Sequence, residues 1–141
     1  MKRTFVALLV CFSSISLAET KTYSTMFEGI QVGTSTIADI IESHGQPINK
    51  ALNSNNVKYF FRKFDITIQD STGKVNTIII HDPNLRDPNG ISVGYSDLVV
   101  EATIKEDPAN GTITDFDKGI IYWLKNRKVK QIVIAHKIRK R

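Results

Sequence analysis

Seven residues near the start of the chain return later in almost the same form. The sequence Gly-Ile-Gln-Val-Gly-Thr-Ser at residues 29–35 is followed by Gly-Ile-Ser-Val-Gly-Tyr-Ser at residues 90–96, which lies 61 positions further on. Pro47 and Pro108 keep the same spacing. An internal duplication defines the folding unit, so it constrains the architecture more strongly than any local pattern does.

A second pair of segments extends the match. Residues 65–80 align without a gap with residues 119–134, now at a spacing of 54. The second copy is therefore seven residues shorter, and the deletion lies between the proline and the first aligned strand. We take residues 29–80 and 90–134 as two copies of one unit.

Each copy is expected to begin with a helix. The isoleucines of residues 37–41 have helical spacing, Ser35 is the predicted N-cap, and Gly45 is the predicted stop. In the second copy Ser96 is the matching cap, but residues 98–104 also alternate as they would in a strand. The repeat register favours a helix there, because it outweighs local propensity.

Three strands are expected after each helix, since apolar residues alternate with polar ones between turn-forming residues. The predicted strands span residues 57–61, 66–69, 75–80, 112–116, 119–124 and 128–134. A unit of about 50 residues has a thin core, so the two units should share one sheet. The predicted fold is α+β: two tandem helix-plus-three-strand repeats form one six-stranded antiparallel sheet, with both helices packed on one face.

Residues 1–18 have the pattern of a signal peptide. Lys2 and Arg3 precede an apolar stretch, and the small residues near Ala18 predict cleavage after that alanine. The uncharged stretch of residues 4–18 is 15 residues long, whereas a membrane-spanning helix needs ~20. We therefore expect a cleaved leader and a periplasmic or secreted protein.

The chain contains one cysteine, and it lies within that leader. Lipidation of Cys11 is an alternative to cleavage after Ala18, although Val10 stands where a small residue is usual. The remaining residues 19–141 contain no cysteine, which excludes a disulfide and a thiolate metal site. A single domain held together by its apolar core is the expected organisation.

Positive charge is concentrated at the C-terminal end. Residues 19–117 contain 14 acids and eight bases, whereas residues 118–141 contain nine bases and no acid. This asymmetry predicts an acidic protein partner, or weak contact with an anionic membrane surface. Nucleic acid ranks third, because an exported chain rarely meets it. A solvated hairpin followed by a frayed basic tail is the alternative interpretation.

Alternation also separates the two faces of the predicted sheet. The face toward the helices should carry Ile66, Ile68, Ile78, Ile80, Ile120, Tyr122, Ile132 and Ile134. The opposite face is mostly polar in the first copy and apolar in the second, with a basic rim. This composition is typical of a protein-binding surface. The predicted partner-binding residues are Ile79, Ile121, Trp123, Lys125, Arg127, Lys130 and Val133. Whether the N-terminal lead-in, residues 19–28, or the C-terminal tail after Ile134 covers them stays open.

No combination of residues indicates catalysis. His44, His81 and His136 lack metal-ligand spacing, and the serines lie at caps and turns. Asp115 and Asp117 are close in sequence and are expected to keep a hairpin soluble. The glycine pairs lack the fingerprint of a phosphate-binding loop. We therefore expect no enzyme activity, no cofactor and no metal.

The motifs resemble one known superfamily. The run Ile-x-Val-Gly-x-Ser, a short helix ending at residues 45–47, and the pattern Gly-Lys-Val-x-x-Ile-x-Ile of residues 73–80 are similar to the repeat of the beta-lactamase inhibitor protein and of small outer-membrane assembly lipoproteins. The resemblance covers residues 29–134. It implies helices on one side of an antiparallel sheet and an open face that meets a partner. The inhibitor's cysteines are absent here, and Glu106 replaces the helix-ending glycine.

Two function classes follow from these observations. The first is an exported non-enzymatic binding protein, an inhibitor or immunity-type protein that acts on a partner through the open sheet face. The alternative is an envelope structural or assembly accessory that associates with the outer membrane or its machinery.

Overall fold

Strands dominate the fold. The computed structural model describes residues 19–140, and strands make up 43% of it while helices make up 13%. The predicted signal peptide, residues 1–18, lies outside the described residues. The strands and helices, in chain order, are β1 Glu19–Thr22, β2 Met26–Phe27, β3 Ile30–Gln31, α1 Ile37–His44, β4 Asn49–Leu52, β5 Asn56–Phe60, β6 Phe64–Gln69, β7 Val75–Ile80, α2 Asp97–Ile104, β8 Thr112–Asp115, β9 Ile120–Lys125, β10 Lys128–Ala135 and β11 Lys137–Lys140.

Seven strands form one antiparallel sheet in the order β4-β5-β6-β7-β10-β9-β8. The central pair is β7 and β10, in which Ile78 lies opposite Ile134 and Ile80 lies opposite Ile132. Four strands of this sheet follow α1 and three follow α2. The predicted α+β fold of two helix-plus-three-strand repeats is therefore wrong: the chain is mostly β, and its halves are unequal.

The additional strand is β4, which lies where no strand is predicted. Its sequence, Asn-Lys-Ala-Leu, has little apolar alternation, and Leu52 is 75% exposed at the edge of the sheet. Pairing with β5, with Lys50 opposite Tyr59, holds this strand in place. Backbone hydrogen bonds do not depend on side-chain polarity, so a hydrophobicity pattern does not reveal such an edge strand.

The two ends of the described chain meet in a separate two-stranded ribbon. β1 and β11 pair antiparallel, with Lys21 opposite Ile138, and the amide of Tyr23 donates to the carbonyl of His136 at 2.7 Å. The basic residues up to Lys140 thus belong to a paired strand. β2 and β3 form a further short hairpin, and its Phe27 belongs to the main core.

The helix ends correct one prediction and confirm three. The N-cap of α1 is Thr36, not Ser35, because Thr36 and Asp39 form a reciprocal capping box. The Ser35 hydroxyl instead accepts from the amide of Gln31 at 2.9 Å. Gly45 ends α1, Ser96 caps α2, and residues 97–104 are helical, all as predicted.

The inner face of the sheet is the core of the protein. All eight residues predicted to face the helices are buried, and they share one cluster with Ile40 of α1 and Val100 of α2. Complete burial of an aliphatic side chain contributes ~1.5–3 kcal/mol, so this row is the main source of stability. Within residues 19–140, neither helix is long and apolar enough to cross a bilayer.

Candidate protein-binding face

The sheet surface opposite the helices, here called the outer face, carries the predicted apolar row. Register places Ile79 opposite Val133, and Val133 opposite Ile121, across the three strands β7, β10 and β9. In the same way Gln131 lies opposite Trp123. Side chains that are paired across strands on one face are neighbours, so Ile79, Val133 and Ile121 form one apolar row. Trp123 follows Ile121 by two positions on the same face, and these four of the seven predicted residues make up the apolar area.

Trp123 is the most accessible member of this area. Its side chain is 45% exposed, whereas Ile79, Ile121 and Val133 are partly buried. A tryptophan indole offers a large apolar surface with a polar N–H at one edge, and such side chains are enriched at the centres of protein interfaces. The accessible part of the outer face is therefore centred on Trp123.

One end of the outer face is covered by the chain ends. Tyr23, Ala135 and Ile138 form a small buried cluster, against which Ile121 and Phe116 pack. The Tyr23 hydroxyl donates to the carbonyl of Phe116 at 2.9 Å, which fixes the lead-in segment in place. The sequence leaves open whether other segments cover the outer face. The structure shows that Ile121 is partly covered while Trp123 is not.

The predicted basic rim is only partly assembled. Lys125 and Lys130 are exposed at the β9–β10 hairpin, and Lys130 lies where the register shifts between Val129 and Gln131. Arg127 differs, because its Nε donates to the Asp97 carboxylate at the start of α2, at 3.2 Å. The backbone of Arg127 is left-handed, with φ of 63°. Arg127 is therefore engaged with the helix side and does not join the two lysines.

A charged group on the outer face was not found from the sequence. Asp65 lies opposite Ile79 and is only 8% exposed. His81 Nε2 donates to its carboxylate at 3.2 Å, and Lys58 Nζ lies 3.7 Å away. Burying a carboxylate is costly unless it is paired, and these two neighbours supply the pairing. The sequence does contain a signal for this group, because the alternating stretch of residues 65–69 begins with the charged Asp65.

A second polar group, on the inner face, was also missed. The Tyr122 hydroxyl is fully buried, donates to the Asp87 carboxylate and accepts from Asn89 Nδ2 at 2.9 Å. Asn89 Nδ2 also donates to Asp115 at 2.8 Å. Asp115 accepts from the amide of Asp117 as well, so it is a buried structural acceptor and not the solubilising surface acid that the sequence suggested.

Burial sets the electrostatics of this inner group. It raises the pKa of the Asp87 carboxyl above its ordinary value, although the hydrogen bonds from Tyr122, Ile91 and Asn89 oppose the rise. Burial also raises the pKa of the Tyr122 hydroxyl, which therefore stays protonated and acts as a donor to Asp87. The group ties the connector between the two halves, residues 81–90, to β9.

Among residues 19–140, no group of three or more histidine, cysteine or acidic side chains is arranged to hold a metal ion. The three histidines have different hydrogen-bond partners. His44 Nε2 donates to the carbonyl of Glu28, His81 contacts Asp65, and His136 Nδ1 donates to the carbonyl of Tyr23.

Comparison with known proteins shows a similarity that concerns the fold. No protein-family model and no curated protein matches the chain. A solved structure of an extracellular protein containing an SCP domain, from Bacillus anthracis strain Ames, is similar with a TM-score of 0.51 and 9% identity. The match covers 82% of this chain and 47% of that chain, so this chain corresponds to about half of that protein. The resemblance to the beta-lactamase inhibitor superfamily stays a prediction.

Proposed function

We propose that the protein is an exported, non-enzymatic binding protein, an inhibitor or immunity-type protein that acts on a partner protein through the outer face. The observation that carries this proposal is Trp123, which is accessible on a sheet surface beside Ile121 and Val133. An exposed tryptophan adjoining other apolar side chains loses contact with water when a partner covers it, which favours association.

The charge around Trp123 indicates the kind of partner. Lys125 lies opposite Lys128, and Lys130 lies two positions from Lys128 on the same strand. Complementary charge accelerates association and selects the partner. The proposed partner surface therefore combines an apolar area with acidic residues.

Affinity capture from an envelope extract of the source organism tests this proposal, with quantitative mass spectrometry as the readout. Trp123→Ala should lose a defined set of captured proteins, whereas Leu98→Ala removes an even more exposed apolar side chain from α2 and should keep them. The double variant Lys125→Ala/Lys130→Ala should weaken capture, and Arg127→Ala should not, because Arg127 is engaged with Asp97.

The charge variants also provide the contrary outcome. If all four variants recover the same proteins as the wild type, the outer face is not the binding site. For a partner identified by the capture, its affinity for the wild-type protein is measured at low and high salt, because a contact between charged surfaces weakens as salt screens it.

A second candidate function is an envelope accessory that associates with an anionic membrane surface. The β1–β11 ribbon favours it: Lys137 and Arg139 are exposed and alternate with the buried Ile138, so both point away from the protein. Cosedimentation with phosphatidylglycerol vesicles separates the candidates. The variant Lys137→Gln/Arg139→Gln should lose binding while Lys125→Gln/Lys130→Gln keeps it, and failure of the wild type to sediment would remove this candidate.

A further inference from the structure

A concave site lies on the helix side of the sheet, away from the outer face. A cleft of about 330 Å³ opens between the end of α1, the residues before β4 and the β5–β6 turn. This volume falls in the range of ~300–1,000 Å³ that small-molecule sites occupy. Its lining residues are His44, Gln46, Ile48, Phe61, Arg62, Lys63 and Phe64.

One wall of the cleft is aromatic and firmly held. Phe61 and Phe64 stack with ring centroids 5.4 Å apart, and the His44 ring meets Phe64 edge-on at 5.2 Å. His44 Nε2 donates to the carbonyl of Glu28 at 2.9 Å, so this hydrogen bond and the contact with Phe64 together hold the ring in place. Ile48, which is 67% exposed, supplies a further apolar surface. An apolar ligand segment would therefore meet a wall that is already formed.

The charged lining is entirely positive. Arg62 and Lys63 are exposed, and the lining contains no carboxylate. Within residues 19–140, no salt bridge joins either side chain to an acid. Asp82, whose amide donates to the carbonyl of Lys63, directs its carboxylate to the amide of Asn84 at 2.8 Å. These cations are available to an anion from solution.

The position of the anion within the cleft follows from the helix. The end of α1 presents carbonyl groups and a partial negative charge, which disfavours an anion beside His44. Arg62 and Lys63 occupy the turn between β5 and β6, where this field is opposed by two full positive charges. A ligand anion should therefore lie at the turn, with its apolar part directed toward Ile48 and the aromatic wall.

We propose that this cleft binds a small organic anion that has one carboxylate and an apolar tail. The carboxylate pairs with Arg62 and Lys63, and the tail packs on Ile48 and the edges of Phe61 and Phe64. The proposal goes beyond the protein-binding function and does not depend on it, because the cleft and the outer face share no residue.

Titration of 15N-labelled protein with sodium octanoate, followed by NMR, tests this site. Saturable shifts are expected at residues 44–48 and 61–64. Octylammonium carries the same tail with the opposite charge, and acetate carries the charge without the tail. Both should bind about tenfold more weakly or not at all, because each lacks one of the two interactions.

Variants locate the binding and decide the outcome. Arg62→Gln/Lys63→Gln and Ile48→Ser should each weaken octanoate binding by about tenfold or more, whereas Lys74→Gln and Trp123→Ala should leave it unchanged. All five positions carry solvent-exposed side chains outside the core, and unchanged spectra of the free variants establish that they fold. Absence of saturable shifts, equal binding of octylammonium, or loss of binding in Trp123→Ala would overturn the proposal.

Discussion

The two halves of the sheet start from the same anchor and then diverge. In the first half, the amide of Gly33 donates to the carbonyl of Val75, and the amide of Val75 donates back to Ser35. In the second half, Gly94 and Val129 form the equivalent bond at 2.8 Å. The shared Val-Gly motif therefore fastens the segment before each helix to the strand that returns beside it.

The divergence comes after the helices. Gly45 ends α1 and the chain turns into β4, a strand that has no counterpart after α2. Lys105 ends α2 in a left-handed conformation, and the chain then reaches β8 through a loop. The comparison shows that an anchor shared by the two halves does not determine the number of strands, because an edge strand depends on the connection that follows the helix.

The largest expected effect concerns the core that both halves share. Ile78→Ala and Ile132→Ala should each lower the free energy of unfolding by ~2–5 kcal/mol, since both side chains are fully buried at the central strand pair. Val133→Ala, on the outer face, should cost clearly less because Val133 is only partly buried. Denaturant titration measures all three. An equal loss at Val133 and Ile132 would show that the outer face is buried like the core.

Next in size is a difference between the two motif glycines. Gly33 and Gly94 have φ of 79° and 96°, so alanine at either should cost ~1–2 kcal/mol in backbone strain. A Cβ on residue 33 would also clash with the His136 ring, whereas a Cβ on residue 94 would meet open space. The loss of unfolding free energy should therefore be larger for Gly33→Ala than for Gly94→Ala by a further ~1–3 kcal/mol, the usual cost of overpacking.

A double-mutant cycle identifies the cause of that excess. In a His136→Ala background the two glycine substitutions should cost the same, because the ring that occupies the space beside Gly33 is gone. If the difference persists in that background, backbone conformation and not the histidine ring separates the two halves.

The third effect belongs to the second half alone. Tyr122→Phe should lower the free energy of unfolding by ~1–3 kcal/mol, because the buried Asp87 carboxylate loses a donor. This donor lowers the pKa of Asp87 against the rise that burial causes, so its loss raises the folded-state pKa further. A carboxyl whose pKa is higher in the folded than in the unfolded protein contributes stability at pH values below its unfolded-state pKa. That contribution is lost as the pH rises through the folded-state pKa.

The cost of Tyr122→Phe should therefore grow as pH rises above the ordinary titration range of an aspartate, near pH ~4. Urea titrations from pH 4 to 7 measure it. Asn89→Ala provides the comparison, since it removes the second partner of the hydroxyl but leaves the Tyr122–Asp87 bond in place. A cost of Tyr122→Phe that stays constant over this range would contradict the proposed coupling.

The smallest expected effect is stabilising and contrasts the two helix ends. Lys105 has φ of 60°, a left-handed conformation that glycine adopts without strain. Lys105→Gly should raise the free energy of unfolding by ~0.5–1 kcal/mol. Gly45 has φ of 81° and ψ of −171°, a backbone region open almost only to glycine, so Gly45→Ala should lower the free energy of unfolding by ~1–3 kcal/mol. Thermal unfolding of both variants measures these two changes in the free energy of unfolding, which must have opposite signs.

The sequence by itself determined the local elements, because these follow from short-range rules. Alternation identified the buried row, from Ile66 to Ile134, because side chains in a strand point to opposite faces at every second residue. Spacing and capping chemistry identified α1, although the Thr36–Asp39 box placed its cap one residue later than predicted, and the repeat register identified α2. The outer position of Trp123 also followed from alternation.

Tertiary structure decided the features that depend on distant segments. β4 exists through pairing at an edge, and the ribbon joins residues from the two ends of the described chain. Asp87 and Tyr122 lie 35 positions apart in sequence, and their bond forms only when the connector packs on β9. The partial cover of Ile121 by Tyr23 and Ile138 has the same origin. Such contacts depend on the path of the whole chain, and no local periodicity encodes them.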